Sequence, residues 1–284
     1  MDLATTGQPI LIQKASGEQE PFDVNKLKAS LHKAGARDDT IAGIVADIEA
    51  WVYPGVSTGK IYTRAYKLYR QKNGFGALRY KLKMAMFGMG PSGHPFEQFV
   101  GELFRRQDYH VEVAQVLQGA AITHEMDVIA TKDKVQNLME CKYSHDQGKH
   151  VSIQVPLYVY SRVNDIVEKR RQDSSFNDIT FVPWVVTNTR FSGDSIAYSV
   201  SKGINLLGWD YPRDNSLKNL IERERLYPIT ILTHLGKQDL QLLMADGIVT
   251  CAQLQQQAHK LEQLGISHNK QRSVMRELES LAEM

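Results

Sequence analysis

The sequence predicts an α/β fold, and three observations predict it. Residues 94–210 follow the order helix, three strands, helix, strand, helix, strand. The ninety residues before them are mostly helical after two short extended segments, and residues 214–284 read as helices throughout. A Gly/Pro cluster (Gly88, Gly90, Pro91, Gly93, Pro95) marks the junction between the first part and the second.

The bulk numbers set the frame. A chain of 284 residues is long enough for two domains and a sizeable core. With 42% hydrophobic and 23% charged residues, the composition is that of ordinary globular chains and argues against long disorder. A net charge of +2 means that any nucleic-acid contact must come from local basic patches. Two cysteines, Cys141 and Cys251, exclude a disulfide framework and a four-cysteine zinc ribbon and suit a reducing cytoplasm. The N-terminus shows no basic-then-apolar leader. No apolar run approaches the roughly 20 residues of a membrane span, so no membrane partner is expected.

In chain order, Pro9 to Gln13 reads as a strand, Lys14 to Glu18 as a turn and Pro21-Phe22 as extended chain. Asp23 is placed to cap a helix from Val24 to Lys33, with Leu27, Leu31 and Ala34 on one face. A second helix follows Asp38-Asp39. Its stripe is Ile41, Ile44, Val45, Ile48, Trp51 and Val52. A third starts at Ser57 or Thr58 and carries Ile61, Ala65 and Leu68. Gly74-Phe75-Gly76 interrupts the pattern before a fourth helix, Ala77 to Phe87. The run Gly55 to Ile61 looks like a phosphate loop but is one residue short, and Ile61 stands where the metal-binding Ser/Thr belongs.

After the junction, a helix from Pro95 to Gln107 buries Phe96, Phe99, Val100, Leu103 and Phe104, with Glu97 near its start. His110 to Gln118 alternates as a strand should. Met126 to Tyr143 then reads as a hairpin whose polar turn spans Thr131 to Asn137. A turn centred on Asp133-Lys134 sets Asp127 opposite Glu140, and alternation puts Lys142 on the same face as Glu140 with Cys141 turned away. Opposed carboxylates repel, and a divalent cation is the simplest compensation. An ammonium beside the ion holds or polarises an attacking water, which is a layout for phosphodiester hydrolysis. The alternative from these residues alone is an exposed hairpin in which Lys142 neutralises both acids. Gln154 to Lys169 reads as a helix, Ile179 to Thr187 as a buried strand, Ser195 to Lys202 as a helix and Ile204 to Leu207 as a last strand.

Two family resemblances cover most of the chain. Residues 8–90, through PILIQKASGEQEPFDVNKLKASLHKAG, IVADIEAWVY, VSTGKIYTRAYKLY and ALRYKLKMAM, resemble an ATP-cone domain. That resemblance implies binding of ATP or dATP, with Lys14, Phe22 and Lys26 at the nucleotide. The turn Ala15-Ser16-Gly17 departs from the Arg-Asp-Gly common in that family. Residues 94–210 resemble the Mrr-like restriction endonucleases of the PD-(D/E)XK class, through PFEQFVGELFRRQDYHVEV, HEMDVIA, MECKYS and FVPWVVTNTRFSGDSIAYSVSKGINLLGWD. This implies a mixed-sheet core in which Asp127 and Glu140 ligate Mg²⁺ or Mn²⁺ and Lys142 positions the water. It also implies Glu97 as an auxiliary acid and Gln154 as a polar site residue on the following helix. His124-Glu125-Met126 replaces the family's glycine-rich approach to the aspartate, which makes His124 and Glu125 further site candidates.

Lys132, Lys134, Lys142, Lys149, Arg162, Lys169, Arg170 and Arg171 are the cations available to phosphates if they line one groove. In the tail, LGKQDLQLLMADGIVTCAQL resembles a helix-hairpin-helix module, with Gly236 and Gly247 open to a second role as helix ends. The expectation is a cytoplasmic, nucleotide-regulated, Mg²⁺-dependent endonuclease acting on DNA. The alternative is a nucleotide-sensing DNA-binding regulator that does not cut. A homo-oligomer is left open.

Overall fold

The computed structural model describes residues 9–73 and 76–283. Gly74 and Phe75, read above as the break before the fourth helix, lie outside them. The first unit begins with an antiparallel pair, β1 (Leu11–Gln13) and β2 (Gln19–Pro21). Helix α1 (Val24–Lys33) starts where the Asp23 carboxylate accepts the Asn25 N–H at 2.9 Å. Helices α2 (Asp38–Trp51) and α3 (Thr58–Lys72) follow, the latter capped by Ser57. Leu27, Leu31, Ile41, Ile44, Ile48, Ile61 and Ala65 fill the space between them, as their helical spacing predicts. Full burial of one such side chain contributes about 1.5–3 kcal/mol.

The fourth helix differs from the expectation. It is two short pieces, α4 (Gly76–Tyr80) and α5 (Leu82–Met86), joined at Lys81. A distant part of the chain packs on this junction. Lys81 Nζ donates to the carbonyls of Thr230, Ile231 and Leu232, at 3.1, 3.4 and 3.2 Å, and Thr230 Oγ1 donates to the Ala85 carbonyl at 2.7 Å.

Helix α6 (His94–Arg105) leads into β3 (His110–Gln118), β4 (Thr123–Lys132) and β5 (Val135–Lys142). A two-residue strand β6 (His150–Val151) precedes α7 (Gln154–Arg170). Then come β7 (Thr180–Thr187), β8 (Arg190–Phe191), α8 (Gly193–Lys202) and β9 (Asn205–Leu207). The main sheet is mixed, in the order β3-β4-β5-β7-β9. The first three strands are antiparallel and β5, β7 and β9 are parallel. The small pair β6–β8 is parallel and is not anticipated by the sequence reading, because two-residue strands carry no period.

Both faces of the sheet are covered. Val128, Ala130, Met139, Cys141 and Val186 pack with Phe96, Phe99 and Leu103 of α6, while Ile129, Leu138 and Val185 pack with Val159, Val163 and Ile166 of α7. The hairpin turn is tighter than the span Thr131 to Asn137 expected for it. Only Asp133 and Lys134 lie outside the strands, with φ of 48° and 64°. Two central residues at positive φ match the right-handed twist of the paired strands.

The tail is helical with two corrections. Against the expectation of helices throughout, the stretch between Glu224 and Lys237 holds only a single 3-10 turn, Ile229–Ile231. The helical pattern of residues 250–264 is divided into two helices, α11 (Cys251–Gln256) and α12 (His259–Gln263). Helices α9 (Leu217–Glu224), α10 (Lys237–Ala245) and α13 (His268–Glu283) complete it. Its buried residues, among them Leu217, Ile229, Leu254 and Leu278, belong to the same apolar cluster as Leu78, Met86, Phe96 and Met139. Packing therefore crosses both of the boundaries expected near residues 90 and 214. Among the described residues no helix is long and apolar enough to cross a membrane.

Candidate active site

The site lies where β4 meets the C-terminal end of β5, the end at which open α/β sheets bind ligands. The β4–β5 ladder stops at Val128–Met139, one step short of Asp127 and Glu140. On the other side the β3–β4 ladder skips Asp127 and its neighbour Ala114, whose φ is 54°. Apolar side chains change face across this gap: Met126 packs on the α7 side and Val128 on the α6 side. Released from regular pairing, the Asp127 carboxylate itself accepts the Cys141 N–H at 2.6 Å. The side chain thus replaces a backbone rung and is held against β5.

Glu140 is 4% exposed and fully engaged. Its Oε1 accepts from Lys142 Nζ at 2.6 Å and from the Tyr158 hydroxyl at 2.8 Å, and its Oε2 accepts from Arg162 at 2.8 Å. The rings and cations stack as well, with Lys142 Nζ 5.5 Å and the Arg162 guanidinium 5.0 Å from the Tyr158 ring centre. Lys142 is fixed from behind, because Thr187 Oγ1 donates to its carbonyl at 2.6 Å. Next to it, the Asn188 amide holds both the N–H and the C=O of Ser144.

The electrostatics follow from this packing. Burial, the Glu140 charge and the nearby Glu97 push the Asp127 carboxyl up to about 7, against the opposing Cys141 hydrogen bond and Lys142 charge. Burial, the largest single influence, pulls the Lys142 ammonium down, but hydrogen bonds to Glu140 and Tyr158 together with the Glu140 charge outweigh it and hold the group above the ordinary lysine value. Burial raises the Tyr158 phenol to about 12 and lifts the Cys141 thiol well above its ordinary value, so neither ionises near neutrality. Cys141 packs in the core on the α6 side, away from Glu140, as alternation predicts.

Glu97 stands in the first turn of α6, paired with His94 at 3.2 Å and close enough to raise Asp127. Gln154 is the first residue of α7 and is exposed. It shares a helix face with Tyr158 and Arg162, four and eight residues on, which both touch Glu140. That i, i+4, i+8 spacing is the signal by which the sequence discloses Tyr158, which was not singled out above. His124 points elsewhere: its Nε2 meets Asp165 at 2.7 Å, and Asp165 also accepts the Ala121 N–H, so this pair clips a loop. The Glu125 side chain is exposed, and only its carbonyl meets Arg162.

Two carboxylates and a lysine at one strand end suit a hard divalent cation, which commonly takes one or two protein carboxylates and fills its shell with water. The fit has an observable basis: burial first, and then the Glu140 charge, raise Asp127, and a cation between the two acids would relieve the second of these. Among the described residues no group of three or more Asp, Glu, His or Cys is placed to hold a metal ion, so the two acids would have to hold it with water. The alternative in which Lys142 neutralises both acids describes only half of what is seen: Lys142 pairs with Glu140, while Asp127 takes a backbone N–H.

The cations named for phosphate contact do not form one groove. Lys142 and Arg162 are at the site. Lys132 and Lys134 flank the hairpin turn at the opposite end of β5, roughly 25 Å away at about 3.3 Å per residue. Lys169, Arg170 and Arg171 end α7 at that same far side, where Arg170 bonds Gln136.

In the first unit, Lys14 and Lys26 both pair with Glu20, at 3.0 and 3.2 Å. The Lys14 hydrogen bond holds the Glu20 carboxyl below its ordinary value. Phe22, Lys26, Thr58 and Tyr62 line a cavity of about 170 Å³, smaller than the roughly 300–1,000 Å³ of ordinary ligand pockets. In the tail, Gly236 and Gly247 stand at the two ends of α10. Gly236 N–H is occupied by Asp239, and Gly247 has a φ of 80°.

The fold and this cluster define an α/β protein whose mixed sheet carries a buried acid pair with basic partners at one strand end. Comparison with known proteins gives its relatives. Residues 227–282 match the family described as AF1548-like, C-terminal. An uncharacterised protein of Archaeoglobus fulgidus is 32% identical over 179 residues, 63% of this chain and 97% of the relative. The crystal structure of AF1548, a protein of unknown function, superposes with a TM-score of 0.56 at 28% identity, over 68% of this chain and all of the other. The chain belongs to the family of these AF1548-like proteins.

Proposed function

We propose that the protein is a nucleotide-regulated, Mg²⁺-dependent DNA endonuclease, built as an ATP cone (8–90), a PD-(D/E)XK-type core (94–210) and a helical tail (214–284). The observation that carries the reading is the convergence of Asp127, Glu140 and Lys142 at the C-terminal end of β5, with Asp127 freed from regular pairing to face that end. Asp127 and Glu140 would hold Mg²⁺ or Mn²⁺, which supplies charge neutralisation at the scissile phosphate when bound.

The chain's own residues do the rest. Lys142 orients the attacking water and stabilises the charge that develops on the phosphate oxygens. Tyr158 and Arg162 fix the Glu140 carboxylate through its two oxygens and so preset the geometry. Arg162 also offers its guanidinium to a neighbouring phosphate. Glu97 adds negative charge at Asp127, and Gln154 presents an amide to the water or the strand. Lys14, Phe22 and Lys26 are the residues proposed to meet ATP or dATP in the cone, with the protein acting in the cytoplasm. Plasmid nicking in Mg²⁺ tests the reading: the wild type should cut, and Asp127→Ala and Lys142→Ala should each lose at least 100-fold. Equal cutting by all three removes the assignment.

A second reading, a nucleotide-sensing DNA-binding regulator that does not cut, is favoured by one observation: Lys142 and Arg162 already neutralise Glu140. Under that reading the wild type binds DNA without nicking it, and Asp127→Ala leaves the affinity unchanged.

A further inference from the structure

The segment Gly55 to Ile61, set aside as an imperfect phosphate loop, forms one wall of a cavity of about 620 Å³, within the range of ligand pockets. Ser57, Thr58, Lys60 and Lys67 come from the start and side of α3, Lys83 from α5, and Gln147 from the loop that follows β5. No Asp or Glu lines it among the described residues. The neighbouring ion pairs join Lys14 and Lys26 to Glu20 and Arg64 to Asp47, and leave Lys60, Lys67 and Lys83 free among the described residues. Lys83 is half-buried. Burial lowers its ammonium, and Arg190 and Lys218 push it the same way against Asp210. Among the described residues, three lysines without acidic partners line one cavity that carries no carboxylate, and the charge that complements them is negative.

The backbone points the same way. Ser57 caps Lys60, and the N–H groups of Thr58 and Gly59 open a helix of 15 residues, an end that favours anions. A Cβ at Gly59 would meet nothing nearer than Ser57 Oγ at 3.9 Å, so an anion has room to approach the backbone there. Trp51 adds an apolar wall, with the Arg64 guanidinium 4.9 Å from its ring centre.

We propose that this cavity binds a chain of linked phosphates, free or carried by a nucleoside, between the start of α3 and the loop leaving the candidate active site. The loop gives the ligand a path to Lys142. Gln147 lies five residues beyond it, and Gly148 packs so closely on the first unit that a Cβ would come within 2.4 Å of the Ala15 carbonyl. The site is distinct from the small cavity at Phe22 and Lys26, although Thr58 and Tyr62 border both. It shares with the proposed function only the class of ligand, and binding alone tests it whether or not the protein cuts DNA.

The experiment is calorimetric titration of the full chain with inorganic tripolyphosphate, with ATP and with a short DNA duplex. Variants are Lys83→Gln, Lys60→Gln with Lys67→Gln, and Lys26→Ala. The two lysines of the double variant are exposed, so it should fold even if the half-buried Lys83 proves sensitive. Tripolyphosphate should bind, and the Lys83 variant and the double variant should each weaken it about tenfold or more, the scale of a lost charge-assisted contact. Lys26→Ala should leave it unchanged. Much tighter ATP than tripolyphosphate makes the ligand a nucleotide, and equal affinity makes it the phosphate chain itself. The proposal is overturned if neither phosphate ligand binds, if duplex binds and phosphates do not compete, or if the lysine variants bind like the wild type. ATP binding that is lost in Lys26→Ala alone keeps the nucleotide reading of the cone and removes this site.

Discussion

At the scale of single residues, the informative group is Asp127. Its carboxyl is held near 7 against an ordinary 3.8, first by burial and then by Glu140. The folded protein therefore keeps a proton there that the unfolded chain releases near pH 4. The stability tied to protonated Asp127 is fully present below about pH 4 and is lost as pH rises through about 7. Without divalent cation, Asp127→Asn should remove that loss and stabilise the protein above pH 7, on the order of 4 kcal/mol at 1.36 kcal/mol per pK unit. Urea unfolding of both forms from pH 5 to 9 checks this. Parallel curves would mean that Asp127 does not titrate in this range. The identities at 127, 140 and 142 are readable in the sequence. The Cys141 N–H that holds Asp127 is not, because a side chain taking the place of a backbone rung leaves no mark in a pattern of residue types.

At the scale of elements, hydrophobic period fixes most helices and strands, and turn chemistry fixes the hairpin. The β4–β5 turn sets Asp133 and Lys134 at positive φ, where a lysine side chain is strained. Lys134→Gly should stabilise the protein by about 0.5–1 kcal/mol, since the Lys134–Asp178 pair it removes is largely exposed and weak. Thermal and urea unfolding measure it, and a loss of stability would show that the turn is held by that ion pair. The fourth helix shows where period fails. Residues 77–87 read as one helix, yet the run breaks at Lys81, whose ammonium meets three carbonyls some 150 positions later in the chain.

At the scale of the whole molecule, one apolar cluster joins residues 78–89, α6, one face of the sheet and the tail. The buried Glu277 adds polar ties within the tail, accepting the Thr233 N–H and hydroxyl. A chain ending near residue 214 should therefore expose the faces of Leu78, Met86 and Phe96, and lose cooperative unfolding or precipitate. A soluble truncated chain with the near-UV spectrum of a packed core would contradict that shared packing. Domain boundaries inferred from Gly/Pro punctuation mark where the backbone bends, which is a separate matter from where burial stops.

The sequence by itself determined the order of elements, the apolar faces and the trio of Asp127, Glu140 and Lys142, because periodicity and residue type are local and each is written in a short stretch. Only the tertiary structure decided which partners those side chains take. Arg162 and Tyr158 close on Glu140 from another helix, Asp127 leaves its ladder, and a cavity gathers lysines from two helices beside a loop more than sixty positions away. Such meetings depend on how faces pack across the sheet and between units, and packing joins residues whose separation along the chain carries no trace of it.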